Sequence, residues 1–190
     1  MTVVEAPKAE SLYPQAWPLG VKAYHALGEL GLIPERAELL YGQVFHKLSK
    51  SPLHTYLHQF LTELLLACLP PGTHLRSEQP ITGADSEPEP DLAVVVGTKE
   101  DYRLAHPRTA ELVIEVCLSS HEYDRSKLRA YASAGVKECW LVLGSEKQLE
   151  VDRQPRSGQY VETTNHCAGE VVTSVAVPGF TVDLAGLFAA

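Results

Sequence analysis

Pro90-Asp91-Leu92-Ala93-Val94-Val95-Val96-Gly97 and Leu112-Val113-Ile114-Glu115-Val116-Cys117-Leu118 are two short apolar runs, each carrying one carboxylate. Both are rich in β-branched residues and bounded by turn residues, the pattern of buried strands. Burying even a neutral polar group without a partner costs roughly 2–7 kcal/mol, and a charge costs more. If the runs pair antiparallel around the 97–110 connection, the start of the first lies beside the end of the second, so Asp91 meets Glu115. Two carboxylates meeting between apolar strands ask for a shared counter-charge, and a divalent cation supplies one. A blander reading makes Asp91 a strand-entry residue and pairs Glu115 with a nearby Lys or Arg. From the pattern alone the two readings stand level.

Downstream, Ser119 and Glu122 have capping-box spacing, which starts a helix running through Ala134 and ending at Gly135. Glu138-Cys139-Trp140-Leu141-Val142-Leu143 is a further strand. Strand, crossover helix and strand make a βαβ unit, so the 112–118 and 139–143 strands are expected to be parallel. Lys127 precedes Tyr131 by four residues, at the edge of the helix's buried stripe, where it can point back over the strand ends. A snorkelling surface lysine is the alternative there. Two carboxylates, a strand carbonyl and a lysine suit metal-assisted phosphodiester hydrolysis: oxygens for Mg²⁺, a cation for developing charge. Removing the Asp91 charge is then expected to relieve repulsion with Glu115 and stabilise the metal-free protein.

Upstream, residues 1–19 hold three prolines and no periodicity, and read as an irregular lead to a single domain over 20–190. Residues 21–30 have helical spacing and stop at Gly31. Residues 37–48 read as two short strands around Tyr41-Gly42. Ser51-Pro52 opens an amphipathic helix that Pro70-Pro71-Gly72 stops. His54 and His58 lie four apart on it, but Thr55 follows where a zinc protease has Glu and no third ligand is near, so a solvated flank is the expected place for the pair. Residues 73–81 are a strand candidate carrying Glu78 and Gln79. Short strands are expected at 148–151, 160–164 and 171–175, then a terminal helix at 184–188.

The chain has 190 residues, is 45% hydrophobic and carries a net charge of −8. No apolar run reaches membrane-spanning length and the first twelve residues lack a signal-peptide core, so a cytoplasmic location is expected. Cys68, Cys117, Cys139 and Cys167 form no C-x-x-C pair and read as reduced core thiols. The acidic balance argues against avid DNA binding and leaves room for a nuclease with local, metal-assisted contact. Cys117 or Ser119/Ser120 with His121 makes a poor hydrolase dyad, because neighbours along a chain seldom meet in reactive geometry and no G-x-S-x-G elbow exists.

Glu-Pro-Glu-Pro-Asp-Leu-Ala-Val-Val (87–95), Glu-Leu-Val-Ile-Glu-Val (111–116) and Tyr-Asp-Arg-Ser-Lys-Leu-Arg-Ala-Tyr-Ala-Ser-Ala-Gly-Val-Lys-Glu-Cys-Trp-Leu-Val (123–142) resemble the bacterial restriction-endonuclease-like family of the PD-(D/E)XK superfamily. The likeness extends through residues 37–48, Ser51-Pro52-Leu53-His54 and the closing Pro-Gly-Phe-Thr-Val-Asp-Leu-Ala-Gly-Leu-Phe. It implies an α/β fold with a mixed central sheet flanked by helices and an additional C-terminal β region. It also implies a Mg²⁺- or Mn²⁺-dependent endonuclease acting on DNA. Asp91 matches the PD aspartate and Glu115 the (D/E) position. Cys117 departs from the lysine position, which the resemblance moves to Lys127, and the Cys117 backbone carbonyl joins the expected metal ligands. Glu38 matches an acidic hairpin residue that completes the shell, with Glu78 and Gln79 as secondary candidates. The rival reading is a catalytically silent homodimeric module of the same fold; exposed strand edges make a homodimer an expectation.

Overall fold

The computed structural model describes residues 16–118 and 121–189. Elements run α1 (Val21–Glu29), β1 (Ala37–Leu40), β2 (Gln43–His46), α2 (Pro52–Cys68), β3 (Thr73–Ser77), β4 (Leu92–Val96), β5 (Leu112–Cys117), α3 (His121–Ser133), β6 (Glu138–Leu143), β7 (Gln148–Arg156), β8 (Gln159–Cys167), β9 (Val171–Thr173), β10 (Thr181–Asp183) and α4 (Leu184–Leu187). The proposed Ser119 cap lies outside the described residues, as does most of the irregular lead. No helix among the described residues is long and apolar enough to cross a membrane.

One mixed sheet in the order β3-β4-β5-β6-β7-β8 organises the molecule. β4 and β5 pair antiparallel with Leu92 opposite Ile114, and β5 runs parallel to β6 across the α3 crossover. Alternation along the strands divides the core in two. Leu92, Val94, Leu112, Ile114 and Val116 face α2 and the C-terminal β9, β10 and α4. Ala93, Val95, Val113 and Cys117 face Tyr131 of α3. Glu115 shares parity with Val113 and Cys117, so its carboxylate falls on the α3 face. The C-terminal β region therefore seals the α2 face and leaves the α3 side to the candidate site.

Local chemistry fixes the pieces that frame this site. The Ser51 hydroxyl caps α2 by accepting from His54 N at 3.2 Å. Tyr41 and Gly42 take φ of 53° and 75°, the left-handed pair of a two-residue hairpin turn between β1 and β2. A Cβ at Gly42 would stand 2.4 Å from Pro18 Cβ, so glycine is required there for space as well as for conformation. β3 is shorter than the 73–81 expectation: Glu78 turns left-handed (φ 54°) and ends the strand. β7 and β8 are longer than expected, nine residues each, because they form one extended hairpin with register from Gln148–Cys167 to Arg156–Gln159. All four cysteines are free thiols, but only Cys117 and Cys139 lie in the core as expected; Cys68 is half-buried at the end of α2 and Cys167 is exposed at the end of β8.

Candidate active site

The ladder between β4 and β5 stops at Leu92–Ile114 because Pro90 has no N–H with which to continue it. Side chains take over. The Asp91 N–H donates to Glu115 Oε2 at 3.4 Å, and the Val116 N–H donates to Asp91 Oδ2 at 2.8 Å. Each carboxylate thus satisfies the other strand's backbone, and the two acids sit together at the ladder's end as the register requires.

Lys127 reaches this point from α3. Its Nζ lies 3.2 Å from Glu115 Oε1, 3.1 Å from Glu38 Oε1 and 3.9 Å from Asp124 Oδ1, with the side chain only 6% exposed. The surface-lysine alternative is excluded by that burial. Glu38, on β1, accepts from Tyr123 Oη at 2.8 Å and from the Glu89 N–H at 2.9 Å. Tyr131 Oη donates to Glu115 Oε1 at 2.5 Å. Burial tends to lower the Lys127 pKa, but Glu115, Glu38 and Asp124 outweigh it and hold the ammonium well above its usual range. Glu115 moves the other way: burial first, then the neighbouring Asp91, Asp124 and Glu38, push its carboxyl up to about 8 against the pull of Lys127. Burial and Glu115 together keep Tyr131 protonated, so it remains a donor.

Asp91 is held by groups that periodicity did not reveal. Lys50 Nζ lies 3.0 Å from Oδ1 and 2.7 Å from Glu78 Oε1. His54 Nε2 lies 3.1 Å from Oδ2, and His58 Nε2 lies 3.2 Å from the Asp91 carbonyl oxygen. Burial alone would raise the Asp91 pKa, but His54, Lys50 and the Val116 N–H bring it well below the usual carboxylate range. Two expectations are thereby corrected. The His54/His58 pair is not a solvated flank but faces the site, because the first turn of α2 abuts the start of β4. Removing the Asp91 charge relieves its repulsion with Glu115 but also takes a charged partner from both Lys50 and His54, the cost the expectation left out.

A third correction concerns the backbone oxygen. The Cys117 carbonyl accepts from Gly144 N at 2.9 Å, on the β6 side of β5 and away from Asp91. Within a strand, N–H and C=O of one residue point to the same side. Val116, whose N–H meets Asp91, is therefore the residue whose carbonyl faces the acids. Burial raises the Cys117 thiol, a protonated core group and no nucleophile. The Glu78 carboxylate reaches the site only through Lys50, although its N–H donates to the Asp91 carbonyl at 3.0 Å, and Gln79 is exposed and takes no part in the cavity wall.

The cavity these residues enclose is small, about 80 Å³, with room for an ion and a few waters but not for a base. Glu38, Glu89, Asp91, Glu115 and Asp124 line it against Lys47, Lys50 and Lys127. Counted with every acid ionised, as Glu115 would be beside a cation, five carboxylates against three ammonium groups leave two negative charges, the complement of one divalent cation. Among the described residues, no three His, Cys, Asp or Glu side chains converge as a metal cage. Two carboxylates and a carbonyl, with the remaining places open to water and phosphate oxygen, is the pattern Mg²⁺ favours, so the donor set fits that ion rather than zinc.

Residues 24–185 match the Uma2 family, described as "Putative restriction endonuclease". The chain belongs to this family. A solved structure from Anabaena variabilis, described as "a putative nuclease belonging to DUF820", superposes with a TM-score of 0.74 over 90% of this chain and 98% of that one, at 16% identity. At that identity the likeness bears on the fold, which is restriction-endonuclease-like. A comparison with curated proteins found no match.

Proposed function

We propose that this Uma2 family member is a divalent-metal-dependent DNA endonuclease. The observation that carries the reading is the meeting of Asp91 and Glu115 at the end of the β4–β5 ladder with Lys127 buried 3.2 Å from Glu115. Asp91, Glu115 and the Val116 carbonyl would hold Mg²⁺ or Mn²⁺. The ion, when bound, polarises the scissile phosphate and lowers the pKa of a bound water.

The chain's own residues do the rest. Lys127 holds a fixed positive charge beside Glu115, where it offsets charge developing on the phosphate. Tyr131 and Tyr123 orient Glu115 and Glu38, so the acids are set before substrate arrives. Lys50, tethered through Glu78, presents a second ammonium at the cavity mouth. The narrow cavity admits a phosphate from the surface rather than a whole nucleotide, which suits cleavage of a polymer backbone. The acidic net charge favours a second reading, a catalytically silent homodimeric module of the same fold.

Incubating wild type and Glu115→Ala with supercoiled, linear and single-stranded DNA in Mg²⁺, Mn²⁺ or EDTA separates the two. Metal-dependent cutting that disappears in the variant supports the nuclease. Wild type that cuts no substrate under any condition refutes it in favour of the silent module. Lys127→Ala is expected to lose cleavage while retaining metal binding by calorimetric titration.

A further inference from the structure

Arg76, on β3, is an unusual buried cation. It is 5% exposed, and no carboxylate among the described residues forms an ion pair with it. Its guanidinium lies over the Tyr102 ring, 5.3 Å from the centroid, and Nη2 donates to His106 Nδ1 at 3.0 Å. Its Nε is buried with no hydrogen-bond partner. Burial lowers the pKa of this side chain. A desolvated guanidinium is ordinarily paired, and an unpaired one marks a place where an anion is missing.

The contact with Arg76 also decides what His106 offers. A guanidinium can only donate, so His106 Nδ1 accepts and the ring's proton sits on Nε2. Burial lowers the His106 pKa further, which favours this neutral form. His106 therefore turns a donor away from Arg76. Beside it is a cleft of about 470 Å³ whose wall includes His25, Thr82, Tyr102, Arg103, His106 and Arg108, with no acidic residue among its lining. Glu87, the buried carboxylate that His25 touches, is already engaged: His25 Nε2 lies 2.8 and 3.0 Å from its oxygens and the Thr82 hydroxyl 3.2 Å away. The 98–108 loop that builds the cleft is pinned, not loose. Thr98 N donates to Asp101 Oδ2 at 2.7 Å, Tyr102 Oη bonds the Val96 carbonyl, and Thr82 N donates to the Pro107 carbonyl at 2.9 Å. A concentration of arginine and histidine donors in a rigid cleft is out of character for a chain with net charge −8.

Its position relates it to the candidate site. Arg76 pairs with Ala93, two residues along β4 from Asp91, which places it on the same sheet face and roughly 7 Å farther along the strand. We propose that the cleft between the 98–108 loop and α1 binds a phosphate group, and that this phosphate belongs to the nucleic-acid strand engaged at Asp91 and Glu115. The strand assignment rests on the nuclease reading; the phosphate site does not. Arg103 and Arg108 contact the anion from the rim, His106 donates through Nε2, and Arg76 supplies the charge behind them.

The test is fluorescence anisotropy of labelled single- and double-stranded oligonucleotides with the full chain in EDTA, at about 50 and 200 mM salt, comparing wild type with the Arg103→Ala/Arg108→Ala double variant. Both arginines are exposed, so the double variant keeps its fold, which an unchanged melting temperature verifies. The proposal expects roughly tenfold weaker binding and a salt slope reduced by about two. Equal affinity and slope in the two proteins overturn it, as does absence of oligonucleotide binding by wild type. Mononucleotide or inorganic phosphate competing as well as the unlabelled oligonucleotide overturns the strand assignment and upholds the phosphate site. Parallel cleavage in Mg²⁺ separates the readings. Arginine-dependent binding without cleavage sinks the nuclease alone, and cleavage with arginine-independent binding sinks the cleft alone.

Discussion

Lys127 neutralises two buried acids at once, and that double duty sets the consequence of removing it. Lys127→Met leaves Glu115 and Glu38 desolvated without their shared cation, and breaking such a buried set costs about 3–5 kcal/mol. Denaturant unfolding is expected to show that loss in the metal-free protein, and saturating Mg²⁺ to restore part of it. Asp91→Asn is expected to lower the melting temperature of the metal-free protein, because Lys50 and His54 lose a charged partner; a higher one in differential scanning calorimetry would contradict the ion pairs. Asp91 and Glu115 were legible because a charge in an apolar run is costly and must be answered, whereas Lys127, on a polar stretch of helix, was assigned by the family resemblance and its position alone fitted a surface lysine. Lys50 and His54 were not legible. Helical spacing puts His54 off the apolar stripe of α2, and its partner lies 37 residues away, so only the docking of α2 on the start of β4 brings them together. The Val116 carbonyl was missed for a different reason: backbone direction depends on which neighbour each residue faces, and that needs the register.

At the scale of elements, α3 carries Lys127 and the β1–β2 turn steadies α3. Tyr41, left-handed at that turn, donates its hydroxyl to the Ser126 carbonyl and accepts from the Ala130 N–H at 3.0 Å. Arg129 covers its ring at 3.8 Å. The turn of helix so bridged contains Lys127. Tyr41→Phe is expected to cost about 1 kcal/mol of stability and to reduce kcat of any cleavage while leaving metal affinity unchanged, since neither metal-facing acid is touched. β7 holds a separate strain. Asp152 is buried with Oδ2 unpartnered, and burial, then Glu150, push its carboxyl up to about 6 despite a hydrogen bond from Thr163. A raised acid favours the folded state fully below its unfolded pKa of about 3.9, and that advantage is lost as pH rises through about 6. Asp152→Asn is therefore expected to flatten the fall in stability between those pH values, seen as a smaller drop in melting temperature from pH 4 to pH 7. Elements with strong local signals were legible: the Ser51-Pro52 start of α2, the Gly135 stop of α3, the parallel β5–β6 pair. The extent of β7 and β8 was not, because hairpin partners lengthen strands that propensity alone leaves short, and β3 stops early at the left-handed Glu78, which no pattern of apolar residues announces.

For the whole molecule, charge is the quantity that sequence and structure read differently. A net of −8 disfavours nucleic acid, yet the excess is not spread evenly. Acidic side chains outnumber ammonium groups by two in the cavity around Asp91 and Glu115, and an acid-free cleft with two arginines and two histidines opens farther along the same side of the sheet. Composition sums over both and shows neither. If a divalent cation completes the cavity, it binds the folded chain and not the unfolded one, so it stabilises by mass action. At about 100 times Kd that amounts to about 2.7 kcal/mol, and for a domain of this size about 2–4 °C in melting temperature per kcal/mol. Calorimetry in Mg²⁺ against EDTA is expected to show a rise of about 5–10 °C. The rise should shrink sharply in Glu115→Gln, which keeps the shape of the side chain and removes its charge. It should persist in Arg103→Ala/Arg108→Ala, whose residues line the other cleft. Equal rises in wild type and Glu115→Gln would place the ion elsewhere and remove the two strand-end acids from any metal chemistry.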